Sequence, residues 1–211
     1  MGKPRFRRRK EDRPAEITQA ALEAFSERGY DGTRVDDVAK RAGVSKGLLY
    51  LYFRTKEELF KAVVRKFIGP RVAMLEQSIR DTELSATDYL RGPFLEFATQ
   101  LPRSPVRILI RLIVAEGHRH PDLTAYYWDN VIVHGLAAIR SLIERGVRRG
   151  EFRDSALDEF PQLLISPVLL AVVWASAFDR YQELDTDRFI RLHIELILDA
   201  IQIDDHGGHT S

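Results

Sequence analysis

Ser45 and Lys46 stand where a helix would begin, and Tyr50 follows about one turn later. A helix start carries free N–H groups and the positive end of the helix dipole, a combination that favours phosphate oxygens. Lys46 also has the reach to donate to a guanine edge in a DNA major groove. Thr33 and Arg34 open the preceding helix, placed for backbone or base contacts, and Lys56 sits in the first turn of the following helix, placed for phosphate. Gly47, Leu48, Leu51 and Tyr52 complete the face offered by the same run. The chemistry on offer is recognition of a polyanion.

A second group, Glu116-Gly-His118-Arg-His120, has the residue types of a metal or acid–base site. Side chains two apart on a helix point to opposite sides, so His118 and His120 are poorly placed to share a metal. Neither an HExxH pattern, a cysteine-based zinc pattern nor a phosphate-binding glycine loop occurs. The chain has no cysteine, which excludes disulfides and thiol catalysis and agrees with a reducing, cytoplasmic setting. The chain is therefore read as a non-enzyme with no cofactor and no metal. His206 and His209 are assigned to a frayed tail over 204–211.

The recognition residues need a scaffold, and the sequence supplies one. Val38 and Ala39 close a short amphipathic helix, and Ala39 lets another helix cross near it. Gly43 falls where a tight turn between helices demands positive φ. Val44 fills the corner, Ser45 caps the next helix, about Lys46 to Phe53, and Leu49 and Tyr52 return to the core. This is the pattern of a helix-turn-helix. Upstream, Ile17, Ala20, Ala21, Ala24 and Phe25 recur at helical spacing, with Arg28-Gly29 as a stop. Thr33 with Asp36 and Thr55 with Glu58 read as capping boxes.

Charge separates the chain into two parts. The whole holds 32 basic and 31 acidic residues. Residues 1–66 hold 17 Lys/Arg and 10 Asp/Glu, net +7, and the remainder 15 and 21, net −6. A basic N-terminal third on an acidic body is the footprint of a DNA-binding head. Lys3, Arg5, Arg7, Arg8, Arg9, Lys10 and Arg13 read as a basic flexible arm over 1–13, with Gly2 and Pro4 arguing against a helix. Either it tracks phosphate or a minor groove, or it is a solvated tail. No apolar stretch follows it, so it is not a secretory signal.

From Ile17 to Val64 the chain closely resembles the DNA-binding domain of the TetR family of bacterial transcriptional regulators. The matching words are Ala-Leu-Glu-Ala-Phe-Ser-Glu-Arg-Gly-Tyr-Asp-Gly-Thr, Val-Ala-Lys-Arg-Ala-Gly-Val-Ser-Lys-Gly and Leu-Tyr-Leu-Tyr-Phe-Arg-Thr-Lys-Glu-Glu-Leu-Phe. The resemblance implies an all-α homodimer that represses a promoter until a small molecule binds its larger C-terminal domain. It implies a Tyr50 hydroxyl on phosphate. Leu48 and Leu51 stand where the family often has polar residues, so contact with thymine methyl groups is the expected substitute.

Downstream, the pattern predicts helices throughout: Lys56 to about Arg80, Thr87–Gln100, Val106–His118, Leu123–Arg149, Leu157–Arg180 and Thr186–Ile203. The expected domains are the arm, a helix-turn-helix domain over 14–55, and a helical effector-binding and dimerisation domain over 56–203. Leu163 to Phe178 carries no charge, contains Pro167, and is too short for a confident membrane span. A helix apolar all round needs burial on every side, which a two-fold partner supplies. With Phe189, Leu192, Leu196, Ile197 and Ala200 it is assigned to a homodimer through the last two helices. Effector-pocket candidates are Arg111, Tyr127, Trp128, His134, Trp174 and Phe178, although such aromatics also serve as plain core. The residues together with the TetR resemblance imply an all-α, ligand-responsive repressor of a palindromic double-stranded DNA operator, nucleoid-associated and without a membrane role. An architectural DNA binder is the rival, and it would need no cavity.

Overall fold

The computed structural model describes residues 5–155 and 157–203. Along the chain run α1 (Arg5–Arg28), α2 (Val35–Arg41), α3 (Lys46–Tyr52), α4 (Lys56–Phe67), α5 (Gly69–Asp81) and α6 (Ala86–Tyr89). They are followed by α7 (Leu95–Gln100), α8 (Val106–Glu116), α9 (Pro121–Tyr127), α10 (Val133–Arg148), α11 (Gln162–Ala177) and α12 (Thr186–Ile201). The expected all-α class holds: among the described residues, the extended pairing is a single bridge between Phe152 and Gln202.

Several boundaries differ from expectation, each for a local reason. The backbone is helical from Arg5, so the arm assigned to 1–13 is corrected. Residues 1–4 and the tail 204–211 lie outside the described residues. The single helix expected from Lys56 to Arg80 breaks at Ile68. Pro70 has no N–H to donate back to Lys66 and disfavours helical geometry at Gly69, so a new helix starts there. The run 86–100 passes through a π-helical turn at Leu90–Phe94 that contains Pro93, a wider turn that accommodates the missing donor. A second π turn at Trp128–Ile132 joins α9 to α10, and the expected end of that run at Gly150 has φ +72.

The chain forms two units. The first comprises residues through Pro70 together with Ile108–Asp129, and the second Arg71–Arg107 together with Asn130 onward. The chain divides after Pro70, where the sequence suggested 55/56. In the first unit α4 buries Leu59, Phe60 and Val63 in the same core as Ile17, Phe25, Val38 and Leu49. Phe25, Tyr30 and Phe60 form a ring cluster with centroids 5.6 to 6.3 Å apart. α9 packs on α4, where Lys61 Nζ lies 5.3 Å from the Tyr126 ring and Arg65 donates to Tyr126 Oη at 3.3 Å. Nothing in the apolar spacing of residues 108–129 distinguishes them from the rest of the body, so their membership was not readable beforehand.

The second unit is built on Tyr89, Leu90 and Phe94, with Ile139 and Leu142 of α10, Leu164 and Val168 of α11, and Ile190, Ile194 and Leu198 of α12. On α12 these buried positions lie opposite Leu192 and Leu196, which are more than half exposed. Leu163, Leu169 and Leu170 on α11 are also about half exposed.

Candidate nucleic-acid interface

The turn between α2 and α3 is made as its residues dictate. Gly43 has φ +63 and Val44 N–H reaches back to Ala39 O at 3.0 Å. Ser45 Oγ accepts from Leu48 N–H at 3.2 Å, capping α3, and Leu49 is fully buried beneath it. Thr55 Oγ1 caps α4 through Glu58 N–H at 3.1 Å. Glu58 answers one residue further out than a reciprocal box would, accepting from Arg54 N–H at 2.6 Å.

With Leu49 inward, the outward face of α3 is set by helical spacing: Lys46, Gly47, Tyr50 and Leu51. All four are exposed, Leu51 by 73% and Tyr50 by 39%. Gly47 costs helix stability, about 1 kcal/mol against alanine, and a Cβ there would meet nothing within 4 Å. Its lack of a side chain has no internal use; it leaves backbone open to whatever lies outside. Leu48 and Tyr52 are half-buried, on the flank of this face, and Arg34 is exposed at the start of α2.

Lys46 is not idle. Its ammonium lies 2.8 Å from Asp36 Oδ2 and 5.9 Å from the Tyr50 ring centroid. The hydrogen bond and charge of Asp36 hold it protonated more firmly than an ordinary lysine. Asp36, read earlier only as a capping partner, is thus an acid planted among the recognition groups. Its position in the first turn of α2 was visible; its reach to Lys46 was not, because it depends on how the two helices cross.

Two candidate contacts turn inward and are corrected. Thr33 is buried, and its hydroxyl donates to Ala24 O at 3.1 Å and Gly29 O at 2.7 Å. It therefore neither caps α2, whose first turn has no side-chain cap, nor offers a hydroxyl to DNA. Lys56 donates to Tyr30 O at 2.7 Å, with its ammonium 4.3 Å from the Tyr30 ring centroid. Burial lowers its pKa against the opposing pull of Asp31 and Glu116. Arg41 likewise serves α1, pairing with Glu23 and Glu27.

The Glu116–His120 segment has a use that sequence reasoning missed. Glu116 accepts from Tyr30 N–H and Asp31 N–H, each at 2.9 Å. His120 Nε2 is 2.6 Å from Asp31 Oδ1, and Arg119 is 3.2 Å from Asp31 Oδ2. Ligand atoms of Asp31, Glu116 and His120 all fall within 4.8 Å of one another. Each already has a protein partner, so the arrangement reads as a clamp on the α1–α2 turn. His118 has no part in that group. Desolvation works to raise the Asp31 pKa, but His120, Arg119 and Lys56 together bring it below the usual range.

The effector candidates do not converge within either unit. Arg111 donates to Ser26 O and Tyr127 is buried, its phenol pKa pushed up by desolvation; both belong to the first unit with the half-exposed Trp128. In the second, His134 Nδ1 is 3.0 Å from Glu76 Oε1. Trp174 donates to Gln182 O at 2.7 Å, with its ring 5.3 Å from that of the half-exposed Phe178. Two grooves of the second unit are lined by other residues. Within each unit these residues serve as core or surface stacking, roles that aromatic identity alone does not separate from a pocket wall.

Comparison with known proteins places both parts of the chain. The model for bacterial regulatory proteins of the tetR family matches residues 17–63, and the model for the tetracyclin repressor-like C-terminal domain matches residues 84–192. A fatty acid metabolism regulator protein of Bacillus subtilis is 32% identical over 148 residues, covering 69% of this chain and 74% of that protein. The HTH-type transcriptional repressor KstR2 of Mycolicibacterium smegmatis is 28% identical over 75% of this chain and 77% of its own. Among solved structures, the Bacillus subtilis regulator FadR in complex with stearoyl-CoA superposes with a TM-score of 0.73 at 21% identity, over 89% of this chain and 99% of that one.

Proposed function

Because this chain belongs to the tetR family of bacterial regulatory proteins, we propose that it represses transcription as a homodimer, holding a two-fold operator until a small molecule releases it. DNA-binding regulation is the property of the family. The repressive sense, the dimer and the residue roles are our reading. It rests chiefly on the outward face of α3, where Lys46, Gly47, Tyr50 and Leu51 are exposed on a helix capped by Ser45. Lys46 meets phosphate or a guanine edge, Tyr50 donates to phosphate, Leu51 and the flank of Leu48 meet thymine methyls, and Gly47 permits close backbone approach. Arg34 and the Ser45 end of α3 add phosphate contacts, and Tyr52 supports the helix.

The half-exposed leucines of α11 and α12 form the surface through which two copies pair, Leu163 and Leu170 on one helix and Leu192 and Leu196 on the other. Pairing sets two recognition helices about 34–36 Å apart, one DNA turn. Among the described residues, no helix is long and apolar enough to cross a membrane; we place the protein's action in the cytoplasm, on the nucleoid. Release requires an effector that binds the two states with different affinity. Stearoyl-CoA, named for FadR, is the first probe. An operator is selected from random duplexes, and fluorescence anisotropy then measures binding with and without stearoyl-CoA. Dissociation by micromolar thioester supports ligand control through an acyl-CoA; binding that no concentration perturbs favours a different effector class or an architectural role.

A further inference from the structure

A groove of about 410 Å³ in the second unit runs between α5 and α10. Arg80 from α5 and Arg145 and Arg148 from α10 line it, against one acid, Glu76. Arg145 is the group that needs explaining. Its Nη1 donates to Ile79 O at 2.8 Å, near the C-terminal end of α5, while Nε and Nη2 are buried with no acceptor among the described residues. A guanidinium brings five donors and a permanent charge, and a buried charge is costly unless compensated. The carbonyl end of α5 offsets part of that charge. Neither acid nearby pairs with Arg145: Glu76 lies 3.0 Å from His134, and Glu144 lies 3.7 Å from Arg148 on the groove rim. On the rim, Arg80 and Arg148 are exposed, and among the described residues Arg80 donates only to Gln77, at 3.4 Å.

We propose that this groove binds the oxyanion of a small molecule, a phosphate or carboxylate group. Arg80 and Arg148 donate the hydrogen bonds, and Arg145 beneath them contributes a fixed positive charge that no described carboxylate neutralises. Ile79 gives the groove an apolar wall, so an organic anion gains over a bare one. Three guanidiniums face two carboxylates, Glu76 paired with His134 and Glu144 with Arg148, which leaves the groove net positive within a unit whose sequence is acidic overall.

The test is isothermal titration of the full chain with inorganic pyrophosphate and, separately, with succinate, at constant ionic strength. The proposal expects one saturable site per chain for at least one probe. It expects binding to weaken about tenfold or more in the double variant R80Q/R148Q, whose exposed positions leave folding intact. Arg145→Met weakens it too, while Arg153→Gln, an exposed arginine outside the groove, leaves it unchanged. Tighter pyrophosphate assigns a phosphate ligand and tighter succinate a carboxylate. Absence of saturable binding for both probes, or equal weakening by Arg153→Gln, overturns the proposal. Should Arg145→Met fail to fold, the R80Q/R148Q variant decides alone.

Discussion

Glu116 grips the backbone of Tyr30: its Oε1 accepts the Tyr30 N–H at 2.9 Å, and its Oε2 takes the next N–H, of Asp31, at the same distance. Gly29 immediately before has φ +72, and a Cβ there would lie 2.5 Å from Glu116 Oε1. One carboxylate thus ties α8 to the turn that launches α2, and glycine makes room for it. Hydrogen bonds to a charged group contribute about 1.5–3 kcal/mol each, with partial replacement by water at Asp31. Glu116→Ala is expected to destabilise by about 2–4 kcal/mol and Glu116→Gln by about half that. Gly29→Ala costs less in the Glu116→Ala background than in wild type, because only the φ strain remains. Urea denaturation of the four proteins in that double-mutant cycle checks the coupling.

Thr33→Val removes a buried hydroxyl that serves two carbonyls, Ala24 O and Gly29 O. A loss of about 1–3 kcal/mol in stability is expected, with operator affinity of the folded protein unchanged. An affinity loss at full folding, seen by anisotropy beside circular dichroism, would return Thr33 to the DNA-contacting set.

The Asp36–Lys46 pair is exposed, so solvent and salt screen it and it contributes little to stability. DNA phosphate must displace Asp36 to take Lys46. Asp36→Asn is therefore expected to tighten binding to nonspecific duplex by about two- to fivefold at low salt, with less gain as salt rises. Anisotropy titrations at two salt concentrations read both effects.

Tyr30 gives the first unit an alkaline limit. Burial first, then the Glu57 and Asp31 carboxylates, push its phenol up to about 12 from 10.0. Between those values the unfolded chain has already released a proton that the folded chain keeps, so stability falls as pH climbs through that window. Tyr30→Phe flattens this slope. Urea midpoints at intervals from pH 8.5 to about 11.5 compare the two proteins, and identical slopes would remove Tyr30 from the account.

Leu192→Glu and Leu196→Glu place charge on the outward stripe of α12. If that stripe is the subunit contact, either change shifts the mass in light scattering at micromolar concentration from two chains to one, leaving helicity intact. A wild-type chain that is itself monomeric would contradict the pairing.

What the sequence made legible was local. Gly43, Ser45, Thr55 and Leu49 each impose a conformation or a burial through their own geometry, and each does so here. Relationships across long stretches of chain were not legible. Glu116 sits 86 residues from Tyr30, and a lone carboxylate in a helical pattern carries no sign of its acceptor role. Thr33 and Lys56 misled for the same reason: a polar residue at a helix start reads as outward until its partners are known. Pro70 was the exception, a visible breaker in a run otherwise periodic enough to suggest one helix.

The central claim is that the outward face of α3 recognises DNA, and Lys46→Ala with Tyr50→Ala tests it most directly. Anisotropy with the selected operator is expected to show specific affinity reduced about a hundredfold or more in the double variant, a few kcal/mol, while melting temperature and mass stay those of wild type. Specific binding at wild-type strength in a folded double variant would contradict the account.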